Sequence, residues 1–202
     1  MATRYCTITQ LEDYLLSDAD ASFESSVEGQ INMAEKFVDT YTGRVWVADT
    51  SASARLYDGN GGMELQIDEA VEITKVEVDE DEEGTGAYEE ITSGYYISYP
   101  ANSTPKTRIR LRDSAQHFFY TGCQNVRITG KWGNSITCPE DITWATIILA
   151  AGIVLAGSAR DIGNNVQSES IGNYNVSYRD ERGWQDYQRA MDILNKRKKI
   201  NI

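Results

Sequence analysis

The chain has 202 residues, of which 41% are hydrophobic and 25% are charged, and its formal net charge at pH 7 is −12. A chain of this length buries a sizeable core and is most simply one domain, or one domain that carries an insertion. Its large acidic excess disfavours a general role in gripping DNA or anionic membranes. Cys6, Cys123 and Cys138 are too scattered for a disulfide framework and lack CxxC spacing. Together with the absence of a signal-like apolar run, they predict a reducing cytoplasm.

Two helices are predicted at the N-terminal end. The first starts near Thr9, because Thr9 and Glu12 have the spacing of a capping box, and it ends about Ser17. The second is indicated by apolar residues that recur every three or four positions, and it stops at the helix-ending pair Thr42-Gly43. Its predicted buried stripe comprises Val27, Ile31, Ala34, Val38 and Tyr41.

From Arg44 onward the apolar period falls from about 3.6 residues to 2, which predicts strands. The segments 55–57 and 63–67 flank Asp58-Gly59-Asn60-Gly61-Gly62, whose glycines favour a hairpin loop. These two segments are therefore predicted to pair with each other. Further strands are predicted over 95–99, 107–111 and 124–132.

A β-bulge is predicted near Thr74-Lys75. The apolar pair before it, Val71 and Ile73, has the opposite parity to the pair after it, Val76 and Val78. An extra residue between the pairs is needed for both to face one core.

The most apolar stretch covers residues 142–157. It is shorter than the roughly 18 to 20 residues of a membrane span, so a fully buried core helix is predicted. Pro139 suits its first turn, where Glu140 and Asp141 complement the helix dipole. A stripe of mostly small residues is predicted to let a neighbouring helix approach closely, and it comprises Ala145, Leu149, Gly152, Ala156 and Ala159.

A short strand and a final helix are predicted after this core helix. Tyr174, Val176 and Tyr178 alternate as in a strand. The final helix is predicted to bury a stripe of Trp184, Tyr187, Met191 and Leu194.

The order of elements predicts an α+β fold in a single domain over residues 1–202. It consists mainly of an antiparallel helical bundle from 1–44 and 139–202. A large antiparallel β insertion occupies 45–138, and a short strand or hairpin lies near the C-terminus.

Enzyme signatures are mostly absent. The sequence contains no GxSxG, P-loop, GxGxxG or HExxH motif. Its single histidine, His117, lies beside Phe118 and Phe119, and a histidine in an aromatic run is more often a packed residue than a base. The sequence predicts no catalytic residue and no cofactor.

The acidic run after residue 76 has the spacing of a calcium-binding loop. Asp79, Asp81, Glu83 and Glu90 occupy positions one, three, five and twelve of an EF-hand pattern. Position five is a glutamate, however, and the flanks read as strands where an EF-hand has helices. A solvated acidic hairpin tip is the favoured interpretation, and Ca²⁺ binding stays open as an alternative.

Two groups of cations are candidates for binding a partner. One alternates along the predicted strands and the other ends the last helix: Arg108, Arg110, Arg112, Arg127 and Lys131, and Lys196, Arg197, Lys198 and Lys199. Either group is compatible with nucleic acid or with an acidic protein. The first group also fits an ordinary charged outer face, or a partner for acids on a neighbouring copy.

The order and spacing of five motifs resemble those of the head–tail connector, or head-completion adaptor, proteins of tailed bacteriophages. The resemblance spans nearly the whole chain. Asn173 and Asn175 depart mildly from the family pattern. The motifs are Tyr41-Thr42-Gly43-Arg44, Tyr57-Asp58-Gly59, Gly130-Lys131-Trp132-Gly133, Pro139-Glu140-Asp141-Ile142 and Ser168-Glu169-Ser170-Ile171-Gly172-Asn173-Tyr174.

The resemblance implies a non-enzymatic structural protein of the virion neck, assembled in the bacterial host cytoplasm. Such adaptors form a ring, generally a dodecamer, that docks on the portal and extends the DNA channel. Double-stranded DNA passes through without sequence-specific binding, and no membrane is involved. The ring also offers a surface to a stopper or tail-completion protein.

The resemblance also suggests which residues make contacts. The C-terminal segment of such proteins tends to reach the portal, so portal docking is expected at Lys196, Arg197, Lys198 and Lys199. A ring needs two different faces of one subunit to meet. The acidic tip (Asp79, Asp81 and Glu83) and the basic face (Arg108, Arg110 and Arg112) are candidates for that meeting.

Two other classes of function remain open. One is a regulatory or interaction module whose acidic hairpin binds protein or Ca²⁺, for which a monomer without response to portal would be the signature. The other is a hydrolase using scattered carboxylates, for which the sequence has no paired motif.

Overall fold

The computed structural model describes residues 5–15, 21–80, 86–115, 117–161, 168–171, 174–177 and 181–199. Within them the chain has four α-helices, a six-stranded antiparallel sheet and a separate pair of antiparallel strands. The predicted α+β class is therefore confirmed. The chain divides into two compact units, a helical unit (Met1–Gly43 with Cys138–Ile202) and a sheet unit (Arg44–Thr137). None of the helices in the described ranges is long and apolar enough to cross a membrane.

The helical unit is arranged around its third helix. Its helices are α1 (Ile8–Leu15), α2 (Ala21–Thr42), α3 (Glu140–Asp161) and α4 (Glu181–Arg197). α3 contacts each of the other three. Between α3 and α4, the strands β7 (Ser168–Ile171) and β8 (Tyr174–Ser177) pair antiparallel, so the short strand expected near Tyr174 is confirmed over its described residues.

The capping box of α1 lies two residues earlier than the sequence predicted. The Thr7 hydroxyl accepts the Gln10 backbone N–H at 3.1 Å, and the Gln10 side chain accepts the Thr7 N–H at 2.8 Å. The prediction of Thr9 and Glu12 was therefore wrong. The earlier start keeps Ile8 inside the helix, where it packs against the helical core. The predicted end near Ser17 lies outside the described residues.

α2 follows its sequence pattern. Its four aliphatic stripe residues are almost fully buried, and these are Val27, Ile31, Ala34 and Val38. The helix ends at Thr42, and Gly43 takes a positive φ of 67° while its N–H donates to the Asp39 carbonyl at 2.8 Å. A glycine adopts this conformation at little cost, which explains the stop.

α3 begins after Pro139 as predicted, but it is not buried all round. Trp144 is 47% exposed and Leu155 is 55% exposed. The predicted small-residue stripe is only partly buried: Ala145 is buried and Leu149 packs against the helical core, whereas Gly152 has open space where a Cβ would lie. The side chains of Ala156 and Ala159 lie outside the described residues. The buried residues of α3 in the core shared with α1 and α2 are Ile147, Ala150, Ala151 and Val154. Because the stretch is apolar on every side, its pattern could not show which face is buried.

α4 buries a narrower line than predicted. Ala190 and Leu194 are fully buried, whereas Tyr187 is 40% exposed and Met191 is half-buried. The Trp184 side chain lies outside the described residues. One turn before Ala190, Asp186 accepts a hydrogen bond from the Tyr14 hydroxyl at 3.0 Å. The inward face of α4 therefore runs at four-residue steps from the half-buried Asp186 to the buried Ala190 and Leu194.

The sheet unit contains six strands in the spatial order β1-β6-β2-β5-β4, with β3 paired to the end of β2. The predicted strands over 95–99, 107–111 and 124–132 are confirmed within one or two residues. Their bounds are β1 (Ser53–Gly59), β2 (Glu64–Val78), β3 (Glu89–Glu90), β4 (Tyr96–Tyr99), β5 (Lys106–Leu111) and β6 (Gly122–Trp132).

The predicted hairpin between β1 and β2 is wrong. β1 pairs with β6, while β2 pairs first with β5 and then with β6. The glycine-rich loop instead binds a later segment: Gly61 N–H donates to the Phe119 carbonyl at 2.7 Å, and Phe119 N–H donates to the Gly62 carbonyl at 2.9 Å. Alternation specifies which face of a strand is buried but not which strand lies beside it.

The bulge in β2 is confirmed. The register against β6 shifts between Ala70 and Glu72 and again between Ile73 and Lys75. After the second shift, Val76 and Val78 are buried in the core of the sheet unit. The bulge thus turns both ends of one long strand toward the same core.

Two motif glycines permit close backbone approach. A Cβ on Gly133, whose φ is 148°, would lie 2.5 Å from Ala48 Cα. One on Gly59 would lie 1.8 Å from the Tyr120 carbonyl oxygen. Beside Gly133, the indole of Trp132 is buried and donates to the Ser53 carbonyl at 2.8 Å. These motif residues serve the fold of the sheet unit.

Candidate functional site

Two of the three cysteines are poor nucleophiles. Burial, together with the smaller effect of the nearby Glu35 charge, raises the pKa of the Cys6 thiol to about 12. Burial likewise raises the pKa of Cys138 to about 11. Both side chains are therefore protonated at neutral pH, whereas nucleophilic attack needs the thiolate.

An open groove of about 810 Å³ lies between α1 and the start of α3. Its centre is aromatic, because the rings of Tyr14 and Trp144 meet edge-to-face at 5.5 Å. Cys138 lines it as a protonated thiol, and the single histidine of the chain lies in the other unit. The groove thus offers apolar and acidic contacts for binding, and its lining residues include Gln10, Asp13, Glu140, Thr143 and Ile147.

α2 presents apolar side chains to solvent. Met33 is 62% exposed and Phe37, one turn later, is 41% exposed. The Phe37 ring stacks on Tyr41 with centroids 5.8 Å apart. An apolar strip of this kind along one helix marks a surface suited to protein contact. We call Met33 and Phe37 the α2 strip.

The C-terminal cations are partly occupied within the helical unit. Arg197 Nε donates to Asp141 Oδ2 at 2.7 Å, and Lys198 Nζ lies 5.0 Å from the Tyr41 ring centroid. The Lys199 N–H donates to the Thr42 carbonyl at 2.8 Å and so caps the end of α2. Lys196 is exposed, without an ion-pair partner in the described part of the chain. The contact of Lys199 uses only its backbone, and its ammonium likewise has no ion pair to a described residue. Of the four residues expected to dock on the portal, Lys196 is the one that makes none of these contacts.

The predicted basic face of the sheet is paired with acids of β2. Both Arg108 and Arg110 reach Glu64, at 3.0 and 3.4 Å, and Lys131 reaches Glu72 at 2.8 Å. Since β2 runs between β5 and β6, its alternating carboxylates lie beside the cations of both neighbours. Arg112 has no ion pair to any described residue. The face is therefore a mixed one, less suited to nucleic acid than the sequence alone allowed.

In one ion pair of this face, between Arg127 and Glu77, the carboxylate is buried. Glu77 accepts two hydrogen bonds from Arg127, at 2.8 and 2.6 Å, and a third from Lys75 at 2.9 Å. Its side chain is only 4% exposed. The Arg127 guanidinium outweighs burial and lowers the pKa of Glu77 to about 2. This two-pronged pair joins β2 firmly to β6.

The acidic tip is only partly within the described residues, since Asp81 and Glu83 lie outside them. Asp79 is buried, and its Oδ2 accepts the N–H groups of Gly86 and Ala87 at 3.0 and 3.2 Å. Glu90 is exposed and lies 3.4 Å from Lys75. The flanking elements are the strands β2 and β3. Asp79 thus has a structural role in closing the turn, and calcium binding by all four acids stays an untested alternative to a solvated acidic tip.

The α2 strip was not predicted from the sequence, although the positions of its two residues on the helix indicate it. Met33 and Phe37 lie off the line of Val27, Ile31, Ala34 and Val38 on a helical wheel, and this line already accounts for the buried side. Apolar residues outside a complete buried stripe indicate a second contact surface.

No protein-family profile matches the chain, and no curated protein matches it. Solved structures of similar fold do exist. One is a chain of the neck of an empty GTA particle computed with C6 symmetry, with 14% identity and a TM-score of 0.57 over 100% of this chain and 94% of that one. Another belongs to the virion of a native gene transfer agent (GTA) particle, with 13% identity and a TM-score of 0.58 over 96% and 89%. The resemblance to head–tail connector proteins is thereby confirmed at the level of the fold.

Proposed function

We propose that the protein is a structural component of the neck of a phage-like particle. Its copies form a ring that docks on the portal, extends the DNA channel and joins the capsid to the tail or to a stopper protein. The observation that supports this most is a fold shared along the whole chain with a chain from a particle neck. In this proposal the protein is no enzyme, both units belong to one adaptor domain, and the four helices form its bundle.

The α2 strip is our candidate for one side of the contact between ring subunits. A ring requires two different faces of the subunit to meet head to tail. Exposed Met33 and Phe37 supply the kind of apolar anchor that dominates protein interfaces. Exposed Trp144, beside the groove of the helical unit, is a candidate for the complementary face.

Charge contacts form a second part of the proposed ring interface. The acidic tip (Asp79, Asp81 and Glu83) and the basic face (Arg108, Arg110 and Arg112) are the predicted groups. Asp79 is buried and bonded within its own turn, so Asp81 and Glu83 are the acidic candidates that we keep. Within the basic face, Arg112 leads, because Arg108 and Arg110 are already close to Glu64. A subunit with a net charge of −12 also suits a channel wall that repels DNA phosphates rather than gripping them.

Electron microscopy of the purified protein, alone and mixed with portal, tests the proposal. We expect rings, or portals capped by an extra layer of density. C6 symmetry in the related neck is compatible with a ring of six or of twelve copies, and the images would count them. A monomer in light scattering that also leaves portal particles unchanged would contradict the proposal and favour a free interaction module.

A pair of variants tests the α2 strip within the same experiment. Met33→Ser together with Phe37→Ser removes both apolar anchors, and Lys36→Ser alters an exposed residue of the same helix between them. We expect the double variant to lose the rings and the control to keep them. Loss of rings in both, or in neither, would remove the strip from the interface.

A further inference from the structure

We propose that Glu80, Glu89 and His117 form a binding site for a divalent transition metal, best matched by Zn²⁺. Each of the three side chains offers one ligand atom, and these atoms all lie within 4.8 Å of one another. The cluster lies within the sheet unit and is separate from the calcium pattern, with which it shares no residue. It does not depend on the proposed function in the neck.

The three residues come from three segments of the sheet unit. Glu80 follows the end of β2, and Glu89 lies in β3, where it pairs with Val78. His117 comes two residues before Phe119, which is fully buried and bonded through its backbone to Gly61 and Gly62. The cluster therefore rests on paired strands and on a fixed loop.

The histidine has an unused nitrogen. Its Nδ1 is buried and has no hydrogen-bond partner in the described part of the chain. A buried polar atom left without a partner is unfavourable, and such atoms in native structures often mark an unseen ion or water. Coordination of a cation by Nδ1 would satisfy that atom.

The two carboxylates add a second reason for a cation. Glu80 and Glu89 bring like charges to one place, which is unfavourable without a counter-charge. One hydrogen bond helps to orient the first of them, because the Tyr120 hydroxyl donates to Glu80 Oε1 at 3.1 Å. A divalent ion between the carboxylates would neutralise both.

The donor set distinguishes among metals. Calcium and magnesium take oxygen ligands, whereas imidazole nitrogen suits zinc and its neighbours in the first transition row. Zinc binds three protein ligands and a water at roughly 2.0–2.2 Å in an open tetrahedral site. Binding would draw the ligand atoms closer together than their present spacing of up to 4.8 Å, and the two glutamates are exposed side chains. The bound ion would tie the β2–β3 turn to the segment that carries His117.

Calorimetric titration of tag-free protein with ZnCl₂ tests the site. A Cys123→Ser background removes the exposed thiol as an alternative ligand. We expect one saturable site, with an apparent Kd that rises at least about tenfold in His117→Ala and in Glu89→Gln. Glu90→Gln is the matched control, because Glu90 is adjacent and exposed but faces Lys75. We expect it to bind as the background protein does.

Several results would overturn the site. These are the absence of saturable Zn²⁺ binding, unchanged binding in both variants, or CaCl₂ binding as tightly as ZnCl₂. Circular dichroism checks that each variant is folded. If His117→Ala does not fold, the exposed Glu89→Gln decides alone, and unchanged binding there would contradict the proposal. Since His117 is the only histidine of the chain, no other imidazole can produce the signal.

Discussion

At the scale of single residues, the buried ion pair of Glu77 makes the stability of the protein depend on pH. Its carboxylate is buried between Arg127 and Lys75, so the ionised form is favoured in the folded protein. A carboxyl whose pKa is lowered by folding stabilises the folded state above its unfolded pKa. That contribution is lost as the pH falls through the folded value.

We therefore expect Glu77→Gln to lower the free energy of unfolding at pH 7 by about 1–3 kcal/mol, as for loss of a buried charged hydrogen bond. The difference from the parent protein should shrink as the pH falls from 4.5 toward about 2. Urea unfolding at pH 7 and pH 3 measures both effects.

The control for this experiment is Glu64→Gln. Glu64 pairs with Arg108 and Arg110 on the same face but is 41% exposed. Exposed pairs contribute at most about 1 kcal/mol, so its effect should be smaller. An equal loss in both variants, or a Glu77→Gln effect that does not depend on pH, would contradict the account.

At the scale of elements, the start of α1 could be capped in two ways. Thr7-Ile8-Thr9-Gln10-Leu11-Glu12 contains two overlapping capping boxes, and the structure uses the one that starts at Thr7. We expect Thr7→Ala to lower the free energy of unfolding by about 1 kcal/mol, whereas Thr9→Ala should change it little. Thermal unfolding of the two variants compares them, and a larger effect at Thr9 would restore the sequence prediction.

Some features of the helices and strands could be predicted from the local sequence pattern and others could not. The buried face and the end of α2 and the bulge of β2 were predictable, because a one-sided stripe and a change of parity each have one geometric solution. The pairing of β1 with β6 was not, since Ser53 meets Gly130 far along the chain and no local signal specifies that neighbour. The buried face of α3 was predicted only in part for the opposite reason, because apolar residues lie on every side of that helix.

The candidate sites also divide into features that the local sequence predicts and features that only the fold creates. The cations of β5 and β6 were visible in the sequence, but their neutralisation by β2 depends on the strand order. The cluster of Glu80, Glu89 and His117 joins residues that share no spacing motif, so only the folded sheet brings them together.

At the scale of the whole molecule, the proposed portal contact needs a finer test than removal of the C-terminus. Deleting residues 196–202 would also remove the bonds from Arg197 to Asp141 and from Lys199 to Thr42. We expect Lys196→Ala to keep the fold and to weaken co-sedimentation with portal by about two- to fivefold, the size of a single exposed ion pair. Lys36→Ala is the control, and equal weakening by both would place the contact elsewhere.

The helical unit is assembled from the two ends of the chain, whereas the sheet unit is one continuous segment. The ribosome therefore releases every strand of the sheet before α3 and α4 exist, so the sheet unit has the opportunity to fold first during synthesis. α1 and α2 must wait with their apolar stripe exposed until α3, which covers it, has emerged, and the bond from Lys199 to Thr42 forms later still. Early folding of the sheet shortens the effective loop between α2 and α3, and so lowers the entropic cost of closing the helical unit.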